Sequence, residues 1–247
     1  MRRLILLLAL ASAIPQPAAA SDEPSCDPSS FTHNADIVEA ARVAHADTDG
    51  RLHFSSGPSG LPCDAPTCQG ASYVVQGDEL LTGLTLGDYV CAWFKPRGRQ
   101  DHFGTLGWLR AGALTAVPTP ASPPMSAWAG DWVRDRELGL PTSLTLRPLR
   151  NGRLKVTGAS LFAHSREDIA RGAVNTGEVD QALEVRGRAA GLMLSDAAGQ
   201  RQSFLGKDYD YACKIGMVLV GDWLVAADDG ACGGLNVSFL GVYRRDR

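Results

Sequence analysis

The side chains able to do chemistry are few and scattered. Five histidines, His33, His45, His53, His102 and His164, show neither an HExxH run nor any other paired spacing that would seat a metal. The stretch from His45 to Leu52 comes nearest to a cation loop, with Asp47, Asp49, Gly50 and Leu52 at the third, fifth, sixth and eighth positions of an EF-hand-like loop. His45 stands where the first aspartate is needed and Ser56 where a bidentate glutamate closes the shell, so the run reads as a turn ending a helix. Asp228-Asp229-Gly230 is likewise a turn former, because a hard cation wants six or more oxygens. A Gly-x-Ser-x-Gly elbow and a phosphate loop are both missing. A cysteine nucleophile would need a free thiol beside a histidine. Glycosidase carboxylates carry no short signature, which leaves Glu137, Glu167, Glu178 and Glu184 open as acids. The chain reads as no enzyme, with no metal and no cofactor.

Place is written more clearly than chemistry. The opening MRRLILLLALASAIPQPAAA joins two arginines, an apolar Leu4–Leu10 core and a small-residue end, the pattern of a secretory leader cleaved before Ser21. Its apolar run is too short to span a bilayer, for which roughly 20 residues are needed, and no second such run follows. Cys26, Cys63, Cys68, Cys91, Cys213 and Cys232 all follow the leader, and an even count in an exported chain reads as disulfides. Zinc is the alternative, but Cys63 and Cys68 flank Asp-Ala-Pro-Thr with no second close pair to complete a tetrahedron. Chain position sorts the six into a group of four and a pair, Cys213 with Cys232, whose loop of about 20 residues would contribute roughly 3 kcal/mol. Lipid anchoring at Cys26 would want a small, apolar approach that Glu23-Pro24-Ser25 does not supply. The expected location is periplasmic or secreted, without a transmembrane segment. Loss of Arg2 and Arg3 with the leader takes the formal charge from −3 to −5, and with no basic run nucleic acid is not an expected partner.

The elements follow from texture. Residues 21–47 form an extension: a polar tether over 21–34, then Asp36–Ala46, where Ile37, Ala40, Ala41 and Ala44 share a helical face behind an Asn34 cap and predict a short helix. From Arg51 onward, short runs rich in Val, Leu, Tyr, Phe and Trp are punctuated by Gly and Asp, the pattern of an all-β chain. Gly87-Asp88-Tyr89, Gly130-Asp131-Trp132 and Gly221-Asp222-Trp223 repeat one device, a turn pair before an aromatic strand residue. Val117–Ser126 holds four prolines in ten residues and reads as a semi-rigid linker at 117–126 between domains at 48–116 and 127–247.

Between Gly70 and Leu114 the order is ASYVVQGDELL, LGDYVCAWFK, a Gly/Arg-rich turn, FGTLGWL and RAGAL. Around residues 50–115 the chain thus resembles the bacterial SH3 (SH3b) family, with Gly107-Trp108-Leu109 as the specific piece. The resemblance implies a small barrel that contacts the cell wall or peptides through a shallow aromatic groove, for which Tyr73, Tyr89, Trp93 and Trp108 are the candidates. Leu109 and Leu114 would face inward, with Gly104 and Gly107 easing a barrel corner. Residues 127–247 open with AWAGDWVR and close with NVSFLGVYRR, which resembles a lipocalin-like (calycin) meander closed into a barrel. In size, expected export and a C-terminal cysteine pair this part also resembles the small periplasmic lysozyme inhibitors, which are compact disulfide-linked barrels. Val218–Val220 and Trp223–Val225 read as strands about the Gly221-Asp222 turn, with Cys232 opening the final pairing region. Asn236-Val237-Ser238 fits a glycosylation acceptor, but its expected place on a strand and the bacterial-looking features of the chain argue against its use. The expectation is an exported, all-β, two-barrel binding protein whose partner is peptidoglycan or an envelope protein. The alternative is an inhibitor of a lysozyme-type wall hydrolase acting through the C-terminal barrel.

Overall fold

The computed structural model describes residues 24–33, 37–57, 60–96, 104–135, 142–191 and 213–246. The leader, Asn34, His102 and Glu137 lie outside the described residues. The first sheet comprises β1 (Glu39–Val43), β2 (Arg51–Ser55), β3 (Gln69–Val75), β4 (Glu79–Leu86), β5 (Tyr89–Phe94), β6 (Thr105–Arg110) and β7 (Leu114–Val117), in the order β3-β2-β6-β5-β4-β1-β7. The second is a closed eight-stranded barrel of β8 (Gly130–Asp135), β9 (Thr142–Pro148), β10 (Arg153–Phe162), β11 (Asn175–Arg186), β12 (Ala189–Gly191), β13 (Ile215–Val220), β14 (Trp223–Asp228) and β15 (Gly241–Arg245). Each barrel strand pairs antiparallel with its neighbour in sequence, and β15 closes on β8. The Gly-Asp-aromatic triplets mark the starts of β5, β8 and β14; Gly87-Asp88 and Gly221-Asp222 are turns, whereas Gly130-Asp131 is no turn but the first two residues of β8, already paired with β9.

Two expectations are corrected near the N-terminus. Residues 36–46 contain a strand, β1, inserted between β4 and β7, in place of a helix. Ala40 and Ala41 are buried on opposite faces, the need of a central strand, and a short alanine-rich run satisfies helix and buried-strand patterns alike. The run from Asp47 is therefore a turn leading into β2, with Gly50 N–H on the Asp47 carbonyl, and it ends no helix. The short helix lies earlier, as α1 (Pro28–His33), within the supposed tether. Pro28 takes its first position and the Asp27 carboxylate accepts from Ser30 N–H at 3.1 Å. The Cys26–Cys91 disulfide fixes this segment to β5.

Strands β13–β15 lie between two apolar clusters. Ile215, Met217, Leu219, Leu224, Ala226 and Tyr243 face the barrel interior. Val218, Val220, Trp223, Val225 and Val242 face outward and pack with Ala40, Leu81, Cys91, Trp93 and Trp108 of the first sheet. Phe31 of α1 is fully buried in this seam, edge-on to Trp93 with ring centroids 5.5 Å apart. Beside it Arg188, in the β11–β12 turn, donates from Nη1 and Nη2 to the Glu39 carboxylate, each at 3.0 Å, and reaches Thr119 at 3.1 Å. The proline-rich segment is thereby tied to both bodies.

The barrel's first and last strands are locked by one stack. The Arg245 guanidinium lies 4.5 Å from the Trp132 ring centroid and donates to the carbonyls of Ala127 and Ala129, on either side of Trp128 in α2 (Met125–Trp128) and the residue after it. The Trp132 ring N–H donates to the Trp128 carbonyl at 3.0 Å. Gly130 has φ 131°, a backbone conformation that favours glycine, and a Cβ there would lie 2.9 Å from the Arg245 guanidinium. The last strand begins at Gly241, later than Cys232, and Asn236 sits exposed in the preceding loop at φ 64° instead of on a strand. The reason is a web of bonds around that loop: Asp228 accepts from Ser238 and from Phe239 N–H, and Asp229 accepts from Lys214 and Ala231 N–H.

Replacing Phe31 with Ala should cost about 3–4 kcal/mol in a denaturant titration followed by tryptophan fluorescence. Because sheet and barrel share the seam, one transition is expected. A loss below about 1 kcal/mol would remove the wedge role from Phe31.

Candidate functional site

The four aromatics expected to line a groove do not gather on one. Trp93 is fully buried and Trp108 is 1% exposed, both in the seam against the barrel. Trp108 satisfies its ring N–H on the Gly60 carbonyl at 2.8 Å. Tyr89 is buried, its hydroxyl donating to the Cys63 carbonyl and to Asp64, and of the four only Tyr73 is open, at 42%. The cause is strand alternation. Tyr89, Cys91 and Trp93 share one face of β5, Trp108 stands opposite Cys91 on β6, and the barrel covers that face. Leu109 points the other way into the sheet's own cluster, against which Leu114 packs. Gly-Trp-Leu is thus a two-sided closure, one residue for each core. A Cβ on Gly107 would lie 3.1 Å from the buried Phe54 ring, which would have to give by a few tenths of an ångström.

Tyr73 sits apart on β3, opposite His53 of β2, with the Arg51 guanidinium 4.4 Å from its ring centroid. The more enclosed surface lies at the end of the sheet where β5 begins and β6 finishes. Two adjoining hollows of about 460 and 280 Å³ share Asp47, Leu52 and Arg110. The larger is completed by His45, Asp88 and the Ala111–Ala113 turn, the smaller by the Cys63–Pro66 loop and Tyr89. Arg110 stands directly opposite Tyr89 in the β5–β6 register, which brings its guanidinium to 5.3 Å from the ring centroid. The Cys63–Cys68 disulfide clips the neighbouring loop and delivers Asp64 to both. Asp64 accepts from the Tyr89 hydroxyl and from Arg110, each at 2.6 Å.

These contacts set the electrostatics. The Tyr89 hydroxyl bond, then the Arg110 charge, holds the Asp64 carboxyl below the usual carboxylate range. Burial, reinforced by the bond to Asp64, pushes the Tyr89 phenol up. Asp47, Asp64, Asp88 and Arg110 were not legible as a site, because they sit in three turns and at one strand end whose meeting is a property of the fold. The cross-strand position of Arg110 beside Tyr89 was the one sequence signal available, given the Gly-Trp-Leu closure.

All six cysteines are paired, Cys26 with Cys91, Cys63 with Cys68 and Cys213 with Cys232, so no thiol is free as a nucleophile and the Cys26 sulfur is engaged. Among the described residues no group of three or more His, Cys, Asp or Glu is placed to hold a metal ion, and no helix is long and apolar enough to cross a membrane. Comparison of the chain with family models, curated proteins and solved structures finds no match.

In Tyr89→Phe the Asp64 titration, followed by carboxyl carbon NMR, should move up toward the ordinary range. A depressed carboxyl contributes stability above its unfolded-state pKa and loses it as pH falls through the folded value. Acidification through that window should therefore loosen the 63–68 loop in the wild type. An unmoved Asp64 midpoint in the variant would assign the depression to Arg110 alone.

Proposed function

We propose that this chain is an exported binding protein that contacts peptidoglycan or its peptides through the first sheet. The observation carrying this reading is the paired hollow around Arg110: an open surface with both signs of charge, set in strand ends and a disulfide-clipped loop. Wall peptides bear carboxylates and ammonium groups together, and a site with Arg110 among Asp47, Asp64 and Asp88 suits such mixed charge better than a polyanion. The SH3b-like order of strands and the leader-like first twenty residues point the same way, and three disulfides belong in an oxidising compartment. Binding surfaces sit on loops held by a rigid scaffold, which is the arrangement at this end of the sheet.

One observation favours the second reading, inhibition of a lysozyme-type hydrolase through the barrel. Leu235 is 77% exposed at the tip of the loop joining β14 to β15. That loop is braced by Cys213–Cys232 and by the Asp228 and Asp229 bonds, and Asn175 donates to the Leu235 carbonyl at 2.7 Å. A rigid loop presenting one apolar side chain suits a protein pocket.

Residues 21–247 should co-sediment with purified peptidoglycan sacculi, and Arg110→Ala should cut the affinity roughly tenfold, while Leu235→Asp leaves it unchanged. Trp108→Ala would report folding instead, since its ring is buried. If nothing pellets, the wall reading fails. Lysozyme inhibition relieved by Leu235→Asp would then put the barrel reading in its place.

A further inference from the structure

The larger hollow contains charged groups whose bonding capacity is largely unspent. Arg110 makes one side-chain hydrogen bond among the described residues, from Nη2 to Asp64, and its side chain is 53% exposed. A guanidinium offers five donors in a planar fork matched to a carboxylate, and the Tyr89 ring beneath restricts its motion. Asp47 and Asp88 line the same hollow, and neither carboxylate makes a hydrogen bond among the described residues. Their backbones do: Asp47 bonds with Arg51 and Gly50, and the Asp88 carbonyl accepts from Ala111 N–H at 2.9 Å. The far wall is the Ala111-Gly112-Ala113 turn, whose last carbonyl accepts from Ala44 and His45 N–H at 2.9 and 3.2 Å. Backbone bonds thus hold the walls, while the charged side chains remain available to a ligand.

We propose that this hollow binds a zwitterionic amino acid or short peptide, its carboxylate on Arg110 and an ammonium on Asp47 and Asp88. Charge decides the class. A lone cation would meet Arg110, and a polyanion would meet three carboxylates, counting Asp64. A ligand carrying both signs offsets both, and the small side chains of Ala46, Ala111 and Ala113 leave room for it. The inference rests on the wall-contact reading for the choice of probe, and deepens it by naming the ligand chemistry.

The test is calorimetric titration of residues 21–247 with Lys-D-Ala-D-Ala as free acid, as C-terminal amide and in fully N-acetylated form. The amide should bind about tenfold more weakly than the acid. Arg110→Ala should weaken the acid by a similar factor yet leave the amide unaffected, and Arg110→Lys should fall between, since lysine replaces the fork with a point charge. Acetylation should also weaken binding, and in the Asp47→Asn, Asp88→Asn double variant that sensitivity should vanish. Thermal melts of each variant separate loss of binding from loss of fold. Equal affinity for acid and amide, an unchanged Arg110→Ala, or no binding of any form overturns the proposal. Sacculus pelleting that persists in those cases leaves the wall-contact reading standing, whereas failure to pellet removes that reading whatever the peptide does.

Discussion

Burial of the barrel's outer face beneath the first sheet is the contact on which the rest of the molecule depends. Strands β13 to β15 have apolar side chains on both faces, and the outward set, Val218, Val220, Trp223, Val225 and Val242, would form a large exposed patch without its cover. Burying a side chain of this size is worth roughly 1.5–3 kcal/mol, so the five together far exceed any exposed ion pair in the structure. The seam recruits what lies near it. Phe31 fills its edge, Cys26–Cys91 fixes the helix that carries Phe31, and Arg188 ties Glu39 to Thr119 at the rim.

That contact also decides which residues remain for function. The first sheet has one face turned to its own cluster and the other to the barrel, so the large aromatics of β5 and β6 are consumed internally. What stays open is the perimeter: the turn at Asp47, the clipped loop at Asp64, the Gly87-Asp88 turn and the end of β6 at Arg110. These positions are polar because they lie at strand ends, and rigid because each is tied by backbone bonds, by the Cys63–Cys68 disulfide or by the Arg110–Asp64–Tyr89 set. The barrel contributes its own rigid projection at Leu235 on the other body. There a Cβ on Gly177 would lie 2.2 Å from the Cys232 carbonyl, a measure of how closely the loop is pressed onto β11.

The all-β class, the three Gly-Asp-aromatic strand starts and the Cys213–Cys232 pair follow from local rules. Gly87 and Gly221 take the positive φ of a tight turn, an apolar run bounded by such turns has little choice but a strand, and cysteines 19 residues apart about a hairpin meet readily. Alternation within YVCAWF and TLGWLR likewise assigns Trp93 and Trp108 to one face and Leu109 to the other. It does not say what covers each face, and for that reason a buried interface could pass for a binding groove.

Tertiary structure alone decided the rest. Residues 39–43 became a strand because a slot stood open between β4 and β7, where long-range pairing outweighs the helical preference of alanine. Cys26 found Cys91 across 65 residues because α1 docks in the seam, a contact no spacing encodes. The Arg110 site assembles from Asp47, Asp64, Asp88 and Arg110, each on a different turn or strand end. Local sequence sets the conformation of each such piece, and only packing of the two bodies sets which pieces meet and which faces stay in water.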